Sequence, residues 1–264
     1  HINSCDFSLD NYNFDDVPGD FALAHFDQTM AHDMEHLIPM LQRAGSLVSE
    51  NSSNTLRILA SPWSPPPWMK VSGQMNGASP PLCLKPEAAA SWAKYISIWM
   101  SNYKSRGVSF FGMTVQNEPM VNPGWEGCAY TPEAEASFVA DHLGPVMQEY
   151  HPEVDIFIFD DSKQSLVFFT EGVMANAAVK PFVKGAAVHW YTGDHFDQLT
   201  SFRKSHPDLK LLASEATYEK RMWKSPTPSD NWRFGTGYAH DIIGDLNAGA
   251  IGWLDWNLVL DQEG

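Results

Sequence analysis

Short, nearly unbroken apolar runs recur along the chain, at residues 56–60, 108–116, 154–159, 185–190, 209–214 and 250–256. Each is followed by polar, proline-rich or glycine-rich sequence. Runs of this length without strict alternation fit parallel strands covered on both faces. Between them the period changes. Trp92, Ile96, Trp99 and Tyr103 fall at helical spacing after Pro86, and Gly107 ends the segment. Thr131 is placed to cap a second helix, with Pro132 in its first turn and Phe138, Val139, His142, Leu143, Val146 and Met147 along its apolar stripe. Residues 238–246 predict a shorter helix with Ile242, Ile243 and Leu246 turned inward. Residues 1–7 read as the tail of one more strand. The alternation of strand and helix predicts an α/β fold approaching a (β/α)8 TIM barrel. An open doubly wound sheet is the competing arrangement, but no glycine-rich phosphate loop follows an early strand. The loop at residues 61–86 is unusually long, with seven prolines and two tryptophans, Trp63 and Trp68; such loops are commonly functional or mobile.

Composition narrows the function. The chain has 264 residues, 44% of them hydrophobic and 19% charged, which suits one large ordered domain. Ten tryptophans, fifteen phenylalanines and eight tyrosines supply flat surfaces of the kind that line sugar and apolar clefts. A net charge of -15 repels phosphate backbones and argues against nucleic acid as a partner, while fitting work in an acidic medium. Cys5, Cys83 and Cys128 allow at most one disulfide. Asn51-Ser52-Ser53 matches a glycosylation sequon, a triplet common by chance. No apolar run is long enough for a transmembrane segment.

The placement of polar residues changes the picture most. Glu118 ends the run at 108–116, Asp160 and Asp161 follow 154–159, and His189 lies in the next run. Glu215 follows 209–214, and Asp255 lies in 250–256. Any single one is an ordinary strand end. In a barrel, however, all these ends converge on one face. Two opposed carboxyls in an aromatic cleft suit glycoside hydrolysis, in which one donates a proton and the other attacks or activates water. Glu118 and Glu215 are the natural pair. Asn117 offers an amide to a sugar hydroxyl, Pro119 is expected to bias the Glu118 backbone away from the α region, and Ser214 to pack against or orient Glu215. The metal reading is poorer: His189, His195 and His240 lack ligand spacing, and His32 and His36 in "HDMEH" miss the HExxH order, so they read as solvated helical histidines. No G-x-S-x-G elbow is present for a serine hydrolase.

The segments "SPWSPPPWMK" (61–70), "MTVQNEP" (113–119), "VHWY" (188–191), "LLASEA" (211–216) and "GWLDWNLVLDQEG" (252–264) resemble glycoside hydrolase family 30. With "SCDFSLDNYNFDDVPGDFALAHF" (4–26), the likeness is greatest to its lysosomal acid β-glucosidase (glucosylceramidase) branch. The resemblance implies a (β/α)8 barrel and hydrolysis of β-linked sugars with retention. By it, Glu118 is the general acid/base and Glu215 the nucleophile. Asp6, Trp63, Asn117, His189, Tyr191, Trp256 and Asn257 bind substrate, with Tyr191 placed to hydrogen-bond the nucleophile. Asp160 and Asp161 take a supporting role on loop backbone. It implies no cofactor or metal, and β-glucoside or glucosylceramide as substrate. Peripheral contact with a lipid membrane or an activator protein, a lysosomal or secreted location and an acidic pH optimum also follow. Against the family pattern, residues 1–264 read as one catalytic barrel domain incomplete at both ends, without strand one or the accessory β-sandwich. Activity on β-1,6-glucan, β-xylosides or β-fucosides, and an inactive sugar- or lipid-binding paralogue, are the alternatives.

Overall fold

A computed structural model describes residues 1–218 and 228–257. Its centre is a parallel sheet of five strands in sequential order: β1 (Leu59–Ala60), β2 (Gly112–Thr114), β3 (Asp155–Ser162), β4 (Val183–His189) and β5 (Lys210–Glu215). Sequential parallel order with helical crossovers is the wall of a (β/α) barrel, here an open, curled half-barrel rather than a doubly wound sheet. Two further segments extend the wall. Ile2 bridges Pro62 beside β1, and residues 250–256 run parallel to β5 through the Ala213–Trp253 bridge. The latter is secured by bonds from Ile251 N–H to Leu211 O (2.8 Å) and Leu254 N–H to Ala213 O (2.9 Å).

The regular parts of β1 and β2 are shorter than the apolar runs at 56–60 and 108–116. Val108 N–H turns back to Tyr103 O and finishes the preceding helix rather than opening a strand. Beyond Thr114 the ladder continues irregularly: Val115 N–H donates to Phe157 O, Asn117 N–H to Pro62 O and Glu118 N–H to Asp160 O, at 3.1, 2.9 and 2.9 Å. That irregular end carries Glu118.

The helices α1 (Ala31–Glu35) and α2 (Leu37–Asn51) precede β1, and α3 (Ala89–Ser105) follows the long loop. α3 is helical because its apolar residues share one face; Trp92, Tyr95, Ile96, Trp99 and Tyr103 are all buried in the core. Gly107 ends it at φ 79°, a conformation that favours glycine. Thr131 caps α4 (Pro132–Phe138), its hydroxyl accepting from Ala134 N–H. A π turn at Val139–Leu143 leads into α5 (Gly144–Tyr150). α6 (Leu166–Met174), α7 (Phe196–Ser205) and α8 (Pro228–Asn247) complete the outer layer.

α8 is longer than the segment at 238–246 and faces otherwise than its apolar residues predict. Asp241 and Asp245 are buried, while Ile243 and Leu246 are exposed. The cause is Lys163 after β3, fully buried, whose ammonium meets Asp241 at 2.5 Å and Asp245 at 2.6 Å. A buried ammonium needs anionic partners more than the core needs two more aliphatic side chains. Asp241 also accepts from Trp253 Nε1 (2.9 Å), tying α8 to the segment beside β5.

The long loop is pinned. The Lys70 ammonium is buried and donates to the carbonyls of Met75, Gly77 and Gly127 at 2.6, 2.8 and 2.6 Å. Cys83 and Cys128 form a disulfide beside it, leaving Cys5 free. Both devices join the loop after β1 to the loop after β2.

On the concave side of the sheet, Phe157 packs with Ala187 and Leu212 and against Leu59, Phe111 and Leu254. Its ring lies between strands that carry glycines: a Cβ at Gly112 would stand 2.7 Å from the ring, and one at Gly185 2.5 Å from Lys210 O and 2.7 Å from the ring. Gly185→Ala is expected to destabilise the protein by about 1–3 kcal/mol, the usual cost of overpacking, read as a lower urea midpoint. A midpoint equal to that of the wild type would show that the ring and backbone give way freely.

Candidate active site

β2, β3, β4 and β5 end together, and their last residues meet. His189, at the end of β4, is buried and lies between acids from three other strands. Its Nδ1 stands 3.2 Å from Glu118 Oε1 and 3.8 Å from Glu215 Oε1, and its Nε2 stands 3.1 Å from Asp160 Oδ1. One oxygen of Glu118, one of Glu215 and one nitrogen of His189 all lie within 4.8 Å of one another. Tyr191 OH donates to Glu215 Oε1 at 2.8 Å.

Asp160 anchors this group from below. Its Oδ1 accepts from Ser214 Oγ (2.6 Å) and its Oδ2 from Ser61 Oγ (2.9 Å), whose hydroxyl also pairs with Thr114 Oγ1 (2.7 Å). Ser214 therefore orients Asp160, and not Glu215 as its place in the sequence predicts. Asp161 fits the expected backbone role, accepting from Met120 N–H (3.0 Å) and Ser162 N–H (2.6 Å).

The backbone here is unusual. Phe159 and Asp160 have φ of 78° and 58°, and Glu118 has φ of 46°. Three non-glycine residues in the left-handed region at one place is stored strain of the sort found at functional sites. A proline after Glu118 disfavours the right-handed α region, but the residue goes to positive φ rather than to the extended region. The hydrogen bond from Glu118 N–H to Asp160 O and the turn from Val121 N–H to Glu118 O (3.1 Å) hold it there. The strand-pairing register shifts between Phe159 and Asp161, so Asp160 is the extra residue of a bulge that re-aims both its carboxylate and its carbonyl.

Aromatic rings from separate loops come together. Trp63 and Trp256 stack at 5.5 Å, the His1 ring stacks on Trp256 at 4.8 Å, and Phe7 meets Trp256 edge-on at 5.7 Å. Asp6, partly buried, precedes Phe7 in the turn that reaches this wall. The buried indole N–H of Trp63 and the side-chain amide nitrogen of Asn257 have no hydrogen-bond partner among the described residues. Asn117 is buried, with its N–H on Pro62 O and its carbonyl accepting from Gln116 Nε2 (2.9 Å). Asp255 does not join the cluster: it is exposed and accepts from Tyr238 OH. His195 and His240 also lie apart, bonded to Thr192 O and to Asp194.

The charges explain one another. Burial disfavours a charged imidazole, but Glu215, Asp160 and Glu118 together raise the pKa of His189 well above that of a free histidine. Burial would raise Asp160 too, yet hydrogen bonds from His189 and Ser214 hold it below the usual carboxylate range. Glu215 is pushed up to about 7, by burial first and by the Glu118 charge, against the pull of His189 and Tyr191. Glu118, His189 and Glu215 are also the group whose spacing would admit a metal ion. The donor chemistry fits an imidazolium better, since both ring nitrogens already face carboxylates.

Glu135 and Ser61 are the residues that sequence reasoning missed. Glu135, in the ordinary-looking helix start "PEAEASF", is fully buried under β3 with Oε1 accepting from Phe159 N–H at 3.0 Å. A signal existed: it sits three residues before Phe138, on the apolar stripe of its helix.

This arrangement matches known proteins along the whole chain. Residues 1–264 match the glycosyl hydrolase family 30 TIM-barrel domain. The chain belongs to glycoside hydrolase family 30. It is 31% identical over 272 residues to the lysosomal acid glucosylceramidase of Mus musculus, covering 99% of this chain and 51% of that protein. It is 33% identical to putative glucosylceramidase 3 of Caenorhabditis elegans, covering 100% of this chain and 51% of that protein. The crystal structure of SrfJ from Salmonella typhimurium superposes with a TM-score of 0.89 at 35% identity, covering 100% of this chain and 56% of that one. This family 30 chain thus spans about half the length of the curated relatives it matches.

The titrating groups give the family 30 domain a pH dependence. Glu135, Glu215 and Asp161 are raised, chiefly by burial, to about 8, 7 and 6 from ordinary values of 4.5, 4.5 and 3.8. An acid whose pKa is higher folded than unfolded binds its proton more tightly in the native state, so stability falls as pH rises through that interval. His189, raised from 6.5, acts with the same sign. Asp160 acts oppositely, but only in more acidic solution, and Lys70, lowered by burial to about 8, only in more alkaline solution. The thermal midpoint is expected to be at least about 3 °C higher at pH 5 than at pH 8, the shift given by roughly 1 kcal/mol in a chain of this size. A midpoint that climbs from pH 5 to pH 8 would contradict this account.

Proposed function

We propose that this domain is a retaining β-glucosidase that hydrolyses glucosylceramide to glucose and ceramide, with Glu215 as nucleophile and Glu118 as general acid/base. The observation that carries the reading is the approach of the two carboxyls to within 4.8 Å of each other and of His189. Retaining glycosidases hold their carboxyls about 5–5.5 Å apart, whereas inverting enzymes leave about 6.5–9.5 Å for a water.

Glu215 attacks the anomeric carbon as the glycosidic carbon–oxygen bond breaks, and Glu118 gives its proton to the leaving oxygen. Water then attacks the anomeric carbon of the glycosyl-enzyme, breaking its bond to the Glu215 carboxylate, while Glu118 takes the water's proton. The first step needs a proton on Glu118 and the charge on Glu215. Tyr191 donates to Glu215 Oε1 and, with His189, pulls the Glu215 pKa down, so both favour the charged nucleophile. His189 also stabilises Glu118 once the proton has left. Trp63 and Trp256 flank the sugar, Trp63 Nε1 and Asn257 offer donors to its hydroxyls, Asp6 accepts from them, and Asn117 holds the 2-hydroxyl. No cofactor or metal enters these steps. The substrate class is supported by the relatives named as glucosylceramidases. The Cys83–Cys128 disulfide favours an oxidising setting and so a lysosomal or secreted protein, with peripheral membrane or activator contact as part of the same proposal. A second reading keeps the chemistry and exchanges the substrate for β-1,6-glucan. It is favoured by 25% identity to an endo-1,6-beta-D-glucanase of Neurospora crassa across 96% of this chain.

A glucose-configured epoxide that traps the nucleophile is expected to label Glu215; active protein labelled elsewhere refutes the assignment. Glu118→Gln is expected to lose about 10²–10⁴-fold in kcat on alkyl glucosides, where leaving-group protonation matters, and far less on nitrophenyl glucosides. Equal losses on both remove its acid role. Rates on glucosylceramide against β-1,6-glucan decide between the two substrates.

A further inference from the structure

Glu118 and His189 both take their places from one stretch of backbone, the Phe159–Asp160 bulge. The Asp160 carbonyl receives Glu118 N–H, and the Asp160 carboxylate holds His189 Nε2. Nothing in the pairing of ordinary parallel strands produces two successive left-handed residues, so something outside the sheet must stabilise them. From the helical layer, Phe169 of α6 packs on the Phe159 ring at 5.3 Å, and the backbone of the turn is met by Glu135 of α4. Its Oε1 accepts the Phe159 amide at 3.0 Å, and its Oε2 has no hydrogen-bond partner among the described residues.

We propose that Glu135 is a positioning residue of the active site: by accepting the Phe159 amide from beneath the sheet it fixes the bulge, and through Asp160 it sets the placement of Glu118 and His189. Its role as an acceptor requires one oxygen at one distance and no charge. Burial, with Asp160 and Asp161 on β3 adding repulsion, raises Glu135 to about 8, so it is a neutral acid over the range where the site works. Tyr130, from the loop before α4, is the other titratable group bearing on it. The unpartnered oxygen has the same meaning: an amide in place of the acid would keep the one bond that matters. The kinetic consequence rests on the retaining-glycosidase reading above, but the structural one does not.

Three substitutions separate the possibilities. Glu135→Gln preserves the acceptor and is expected to keep kcat within about two-fold of wild type. Glu135→Leu removes the acceptor and is expected to lower kcat about ten-fold or more with KM changed less than about two-fold, since the sugar-binding wall is untouched. Glu135→Asp, one methylene shorter, is expected to follow Leu and carries the test if the Leu variant does not fold. Deuterium uptake by the peptide covering 155–162 should quicken in Leu and Asp and match wild type in Gln. At pH 8, Gln should unfold at a higher temperature than wild type, because it has no proton to lose. Unaltered kcat and uptake in both Leu and Asp overturn the proposal, as does a Gln variant impaired as deeply as Leu. Faster uptake in Leu and Asp, with Glu215 failing to trap the epoxide in wild type, keeps the positioning role and removes the glycosidase reading.

Discussion

Gathering Glu118, Asp160 and Glu215 at one end of a buried sheet sets negative charges where water screens them poorly, and His189 is the group that makes this tolerable. A lone carboxylate in such a place would simply take up a proton. The imidazole instead bridges Asp160 below and the two glutamates above. The acids divide their states accordingly. Asp160, with His189 and two serine hydroxyls, is held below the usual carboxylate range, whereas burial pushes Glu215 up to about 7. Neighbouring carboxyls are thus driven in opposite directions by their surroundings.

The backbone is bent to deliver that arrangement. A regular β3 paired in constant register would alternate its side chains, and Asp160 and Asp161 would point to opposite faces. The bulge breaks the alternation and gives each aspartate a separate task, one on His189 and one on the amides of Ser162 and Met120. The same displacement brings the Asp160 carbonyl to Glu118 and permits the left-handed turn ahead of Pro119. The strained residues are therefore coupled. Around them the loops are tied, by the Lys70 ammonium among three carbonyls and by the disulfide. The strain is thereby held rather than relaxed.

Much of this was legible in the sequence because it follows from period and position. The apolar runs located all five strands, the spacing of Trp92, Ile96, Trp99 and Tyr103 located α3, and the polar residues ending those runs marked the face where they converge. What was not legible depends on contacts between distant segments. Asp241 and Asp245 look like the solvent side of α8 until the buried Lys163, from another element, reaches them and turns the helix round. Ser214 sits beside Glu215 in sequence but serves Asp160 across the sheet. The positive φ at Phe159, Asp160 and Glu118 has little local signature, since Phe and Glu disfavour it and only Asp tolerates it readily; the assembled ladder imposes it. Glu135 is the intermediate case. Its position on an apolar stripe announced burial, but a partner that is a backbone amide leaves no mark on composition.

The protons that matter to the site matter to the fold as well. Glu135 supports the bulge as a neutral acid, and Glu215 and Asp161 are likewise costly to ionise where they stand. Raising the pH asks each of them to charge inside the structure, beside acids that are already charged. Lowering it relieves that repulsion and at the same time keeps His189 cationic. The acidic side of these values is thus where the supporting layer beneath the site is least strained. Substituting these acids to gain stability at neutral pH would remove the same burial and charge coupling that sets the state of Glu215.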